Sequence, residues 1–146
     1  MKSTPIVQLV DLKHMHYVAT PYTNYPGGLD EAAMLAAKVA GDLSLVSMHV
    51  FCPIAHGHAI AQASGNPPVM HSHDFWMWFD DPFMSWCDAL IVVDMESMQQ
   101  SRGVLEEISK FITMQKPVYT LDPVNLMGEV MYLPPVVSVM AEADRS

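Results

Sequence analysis

Five consecutive apolar residues, Ala89-Leu-Ile-Val-Val93, constrain the fold of this chain more than any other feature. The run is too short for a helix and has no polar position, so it reads as a strand covered on both faces, as in a parallel sheet between helical layers. Its neighbours support that reading. Residues 15–20 form a first strand, ending in a loop marked by Pro21, Pro26, Gly27 and Gly28, and residues 29–45 form a helix. Residues 48–52 are a second short strand stopped by Pro53, and residues 53–72, with Gly57, Gly65, Pro67 and Pro68, read as a long loop of the kind that carries function. Residues 74–87 are aromatic-rich and helical, with a break or fresh start at Pro82. After the apolar run, residues 94–100 are a loop, 101–115 a helix with Ser101 as N-cap, and 117–121 a strand. Beyond Asp122 the chain reads as irregular, with a last strand at 136–139.

The alternation predicts one α/β domain over residues 15–146 behind an N-terminal lead of residues 1–14. It is a doubly wound, mainly parallel, flavodoxin- or Rossmann-like sheet of about five strands. Such sheets bind ligands outside the carboxyl ends of their strands, so the loops after Thr20, Cys52 and Asp94 are expected to line a site. Gly27-Gly28 has neither the G-x-G-x-x-G nor the Walker spacing, which argues against a dinucleotide.

Charge narrows the ligand. With 7 Lys+Arg against 16 Asp+Glu, the formal charge is −9, which disfavours a nucleic acid polymer held by its phosphates. A small molecule fits better. No apolar stretch is long enough to span a bilayer and no signal-peptide core opens the chain, so a cytoplasmic protein without membrane attachment is expected. Cys52 and Cys87 are too few for a disulfide framework and read as buried reduced thiols. The 13 methionines read as pliable packing.

Glu107 is the outstanding polar residue. Val104, Ile108, Phe111 and Ile112 mark an apolar helix face, and Glu107 falls on its edge whereas Glu106 points to water. A half-buried carboxylate one turn into a helix is a catalytic candidate. Histidine supplies a rival. His14 with His16, His56 with His58, and His71 with His73 form three H-x-H pairs, and such a pair on a strand could share a metal, with His56 and His58 the best placed. There is no H-E-x-x-H, however, and the pairs fall in loops or ahead of a strand, so packing and hydrogen bonding are their default roles. Neither a metal nor another cofactor is expected. Neither cysteine has a cationic neighbour to activate it, and no G-x-S-x-G elbow occurs.

The order of Tyr17 on the first strand, Asp80 ahead of Asp88 and the apolar strand, and Ser101-x-Gly103-Val104-x-x-Glu107 resembles the nucleoside 2-deoxyribosyltransferase family and its relatives, the 2′-deoxynucleoside 5′-phosphate N-hydrolases. The segments Tyr17-Val-Ala-Thr-Pro-Tyr22 and Pro53-Ile-Ala-His-Gly-His58 are similar to those of small members of that family, and the resemblance covers residues 15–127. It implies that Glu107 is the nucleophile attacking C1′ of the sugar. Asp80 would assist departure of the base, and Tyr17 would position the nucleophile. The chemistry is sound, because a carboxylate can trap an oxocarbenium-like centre covalently while a second carboxyl group protonates the leaving nitrogen. The aromatic set Phe75, Trp76, Trp78 and Phe79 around Asp80 could supply the apolar setting that separates the two pKa values.

Thr20, Pro21, Tyr22, Pro53, His56, Asp94, Ser101, Arg102 and Gly103 are the expected substrate-binding residues. Asn125-Leu126-Met127 looks like the segment that the transferases lend to a neighbouring subunit, which implies a homodimer or larger homo-oligomer. Two departures bear on the reaction. Transferases commonly carry an aspartate where Ser101 stands, and a serine there contacts the 5′-phosphate in the hydrolases. The hydrolases also carry an arginine in the first loop, whereas residues 20–29 contain none. The resemblance therefore implies cleavage of the N-glycosidic bond of a 2′-deoxynucleoside or its 5′-monophosphate and transfer of the sugar to a free nucleobase. Hydrolysis is the alternative, and a non-catalytic nucleotide-binding module or a metallohydrolase stands further off.

Overall fold

The computed structural model describes residues 2–135. The apolar run forms the middle of a six-stranded sheet: β1 (Thr4–Pro5), β2 (Met15–Ala19), β3 (His49–Phe51), β4 (Ala89–Val93), β5 (Val118–Leu121) and β6 (Met127–Tyr132), in the order β1-β6-β5-β4-β2-β3. The four strands β3, β2, β4 and β5 are parallel, and β6 and β1 are antiparallel additions at one edge. All five residues of β4 are buried, as the absence of any polar position in the run requires.

Two helical layers cover the sheet. On one face Val18, Ile91 and Val93 pack with Ala36, Val39 and Leu43 of α2 (Leu29–Leu45) and with Ile6 of α1 (Ile6–Leu9). On the other, Tyr17, Ala19, Leu90 and Val92 pack with Met84 of α4 (His73–Trp86) and with Val104 and Phe111 of α5 (Arg102–Thr113). Alternate residues of the same strand thus enter opposite cores, as the two-residue strand period dictates. The doubly wound α/β expectation holds. Cys52 and Cys87 are free and buried, and burial pushes both thiols up to about 11. No helix among the described residues is long and apolar enough to cross a membrane.

Four local readings need correction. Residues 53–72 are not one loop: Pro53–Ala63 is the helix α3, and Pro68–His71 a 3-10 turn. Proline at the first helical position is pre-set for a helix, and the alanines at 55, 59, 61 and 63 favour it. Pro82 does not break α4, which runs continuously past it. The segment after Asp122 is not irregular, because it turns through Leu126 (φ 58°) into β6. Gly128 is needed there. A side chain would meet the Thr120 carbonyl oxygen at 2.6 Å and Ile6 Cδ1 at 2.9 Å. The N-terminal lead is built into the same edge through β1, and the Ile6 amide donates to the Leu126 carbonyl at 2.9 Å. The expected strand at 136–139 lies outside the described residues.

Candidate active site

The parallel neighbours β2 and β4 send their chains to opposite faces, α2 to one and α5 to the other, which opens a crevice at their carboxyl ends. A cavity of about 500 Å³ lies there, a size suited to a small molecule. Thr20 and Tyr22 after β2, Pro53 at the start of α3, Asp80 of α4, and Ser101 to Val104 with Glu107 of α5 all line it.

The local sequence explains why Glu107 is there. The Ser101 hydroxyl accepts from the Val104 amide at 3.3 Å, starting α5 at a defined residue. From that start Val104, Glu107 and Phe111 form one buried stripe. Glu107 is 7% exposed and sits within the stripe, not on its edge, while Ile112, expected to be buried, is 38% exposed. Burial pushes the Glu107 carboxyl up to about 8, opposed in part by the Tyr17 hydroxyl and reinforced by Asp80. Asp80, 8% exposed, is pushed up to about 7 by burial.

Tyr17 lies behind Glu107, fully buried between the rings of Phe51 and Phe111 at centroid distances of 5.7 and 5.5 Å. Burial and the two carboxylates raise its phenol well above the usual range. Its hydroxyl, Thr20 Oγ1 and Asp80 Oδ1 are buried and find no hydrogen-bond partner of good geometry among the described residues. Buried polar atoms are nearly always paired, so three such atoms beside two carboxyl groups make this crevice the candidate site; a fourth, His16 Nε2, is buried away from the cavity lining.

Several expected residues lie elsewhere. Pro21 is buried and outside the cavity lining. His56 turns from the cavity toward Phe51, Phe79 and Phe83, at ring-centroid distances of 5.3, 5.8 and 5.7 Å. The Asp94 carboxylate accepts from Lys2 Nζ at 2.9 Å. Asn125 Oδ1 accepts from the Met127 amide at 2.9 Å, and neither residue lines this chain's cavity. Of the four aromatic residues around Asp80, only Trp76 reaches the lining, while Trp78 is 71% exposed.

The H-x-H pairs do not behave alike: His71 and His73 both line the cavity and the His14 and His16 ring centroids are 6.4 Å apart, whereas the α3 pair divides. On α3 residues two apart point to different sides, so His58 enters the cavity lining while His56 does not. His58 bonds to the Tyr22 hydroxyl through Nδ1 at 2.6 Å and to Asp30 through Nε2 at 2.9 Å. His16 is buried in the sheet, with Nδ1 3.3 Å from the His49 carbonyl. His73 Nε2 lies 3.0 Å from Glu106, whose other oxygen accepts from Arg102 at 3.1 Å. Glu106 is therefore not a carboxylate left to water: it ties two cavity-lining residues together, which lowers its pKa. Among the described residues no three His, Cys, Asp or Glu side chains gather as a metal-binding group.

Sequence reasoning missed Met70, His71 and His73 as lining residues, had Trp76 only as part of the apolar setting of Asp80, and had His58 only as a metal candidate. The alanine spacing of α3 would have shown His58 on the same helix face as Ile54 and Ala61. The Gly57 to Trp76 contact is also part of that wall, since a Cβ at position 57 would lie 2.9 Å from the indole.

A family model matches residues 14–122. The chain belongs to DUF1937, a domain of unknown function. The DUF1937 match spans all four parallel strands and every cavity-lining residue, and excludes β1, α1 and β6. A comparison with curated proteins finds no match.

Proposed function

We propose that this chain cleaves the N-glycosidic bond of a 2′-deoxynucleoside or its 5′-monophosphate through a covalent ester on Glu107 and hands the sugar to a second nucleobase. One observation carries the reading. Two carboxyl groups with raised pKa values line one cavity together with Thr20, whose Oγ1 is buried without a partner among the described residues, and the buried Tyr17 hydroxyl lies behind Glu107. The reaction requires the pair to hold one proton, on Asp80, with Glu107 ionised, and the Tyr17 hydroxyl favours that arrangement because it stabilises the Glu107 carboxylate.

With Glu107 ionised and Asp80 protonated, a Glu107 oxygen forms a bond to C1′ while the bond from C1′ to the base nitrogen breaks. The bonding pair goes to the nitrogen, and Asp80 gives it a proton. A second base then attacks C1′, Glu107 leaves with its electron pair, and Asp80 takes the proton from the incoming nitrogen. Tyr17 donates to the ionised Glu107 and orients it. Trp76, Met77 and Val104 form an apolar wall that limits access of water to the ester. Asn125 and Met127 would serve a neighbouring protomer in a homo-oligomer.

Hydrolysis is the second reading, and Ser101 favours it. The hydroxyl accepts from Val104, which leaves its proton to donate, and it stands at the N-terminus of α5 beside Arg102, where a 5′-phosphate would be favoured. A panel of deoxynucleosides and their monophosphates, each incubated with a second free base and resolved by chromatography, tests both readings. A new nucleoside supports transfer, and free sugar or sugar phosphate at every base concentration supports hydrolysis. No released base from any member would defeat both.

A further inference from the structure

The last residues of two sequence segments far apart in the chain meet on the cavity wall. Tyr22 follows β2 and His58 lies on α3, and the phenol oxygen is 2.6 Å from His58 Nδ1. His58 Nε2 is 2.9 Å from Asp30 Oδ1, and the same oxygen accepts from Gln62 Nε2 at 2.9 Å. The rings of Tyr22 and His58 meet edge to face at 5.6 Å. The line from cavity to surface is therefore Tyr22, His58, Asp30, with Asp30 in the first turn of α2.

With His58 in its neutral form, the Asp30 carboxylate decides the donors and acceptors along this line. A carboxylate only accepts, so the proton of neutral His58 sits on Nε2 and is donated to Asp30. Nδ1 is then bare and can only accept, so the Tyr22 proton is donated to it. The phenol oxygen has spent its one proton, and what it offers to the cavity is a lone pair. A group that binds against it must bring a proton of its own.

We infer that Tyr22, held in this state by His58 and Asp30, is a specificity-determining residue that accepts a hydrogen bond from a sugar hydroxyl of the substrate. The inference rests on the glycosidic reading above. Tyr22 touches the substrate, and His58 and Asp30 are positioning residues that act through it. A sugar hydroxyl suits the position because it is a neutral donor, whereas a phosphate oxygen would meet a lone pair here with the Asp30 charge behind it.

Two measurements test the inference in the full chain. The first needs no substrate: nitrogen-15 NMR of the histidine rings at neutral pH, with His58 assigned by His58→Gln. The expected tautomer has a proton on Nε2 and none on Nδ1, and Asp30→Ala, which removes the acceptor, should shift it. A proton on Nδ1 in the wild type overturns the inference. The second compares kcat/KM for a 2′-deoxynucleoside with that for its 3′-deoxy and 5′-deoxy analogues, in the wild type and in Tyr22→Phe, which keeps the ring. Loss of one of these hydroxyls should cost the wild type about tenfold or more and Tyr22→Phe less than about twofold, because only the wild type leaves an unpaired acceptor. A Tyr22→Phe protein that discriminates as the wild type does, or a wild type indifferent to both hydroxyls, overturns it. If the wild type releases no base from any nucleoside, the glycosidic reading fails and takes the hydroxyl assignment with it, while the tautomer still decides whether Tyr22 is held as an acceptor.

Discussion

Glu107 is costly to the fold that holds it. Burial raises its carboxyl from the usual range to about 8, so the folded chain binds a proton that the unfolded chain releases near 4.5. The sign follows from linkage: a pKa raised by folding contributes stability in acid that is lost as pH rises through the folded value. Asp80, raised to about 7, acts in the same direction. Wild-type stability should therefore fall from about pH 4 to about pH 8, and Glu107→Gln, which has no charge to bury, should be the more stable protein at the alkaline end. Thermal melts of both across that range should coincide in acid and separate by about 5 °C near pH 8, with the variant higher. A variant that melts below the wild type throughout would show that Glu107 supports the fold. The rate should trace a bell, rising as the pair loses its first proton near 7 and falling as it loses the second near 8. Asp42→Asn on the far helix face, beside Lys38, is the appropriate silent control. Glu106 is not, because its neutralisation would release Arg102 and His73 into the cavity.

At the scale of elements, what could be read from sequence depended on how loudly each element states its period. The uniform run of β4 and the Val104, Glu107, Phe111 stripe of α5 are strong signals, and so the sheet centre and Glu107 were legible. The helix α3 is weakly amphipathic, with glycine, two histidines and alanines where bulkier residues would announce a face, and its opening proline reads equally as a strand stop. The cavity wall that it supplies was hidden for that reason. Tyr22 and His58 are both legible as motif residues, but their hydrogen bond is not, because it depends on where α3 lies. Gly57 should be sensitive for the same reason. Gly57→Val would drive a side chain into Trp76, and overpacking of this kind costs about 1–3 kcal/mol. Steady-state kinetics should show KM rising by about tenfold, as the wall moves inward, with a smaller effect on kcat. Unchanged KM would mean that Trp76 does not border the substrate.

Across the whole molecule, the site and the added edge are separate. Every cavity-lining residue belongs to the parallel half, whereas β1, α1 and β6 close the far side of the sheet. The edge escaped sequence reading because β1 is two residues long and β6 begins after a turn with Leu126 at positive φ. Its integrity rests on Gly128. Gly128→Val would press a side chain against the Thr120 carbonyl and Ile6, so the melting temperature should drop by several degrees, while KM in the fraction still folded stays that of the wild type. Removing the chain from Asn125 onward would delete β6 outright, so it cannot serve as a clean test of subunit exchange.

The claim on which all of this rests is that Glu107 becomes covalently attached to the sugar. A 2′-fluoro-arabinosyl nucleoside, whose fluorine disfavours positive charge at C1′ and so slows release of the ester, would accumulate that species if it forms. Intact mass spectrometry of the protein after incubation, followed by peptide mapping, reads the outcome directly. The account predicts a stoichiometric gain of one fluorosugar on the peptide holding Glu107, absent in Glu107→Gln. A wild-type protein that turns over deoxynucleosides yet carries the sugar on another residue, or on none, would contradict it.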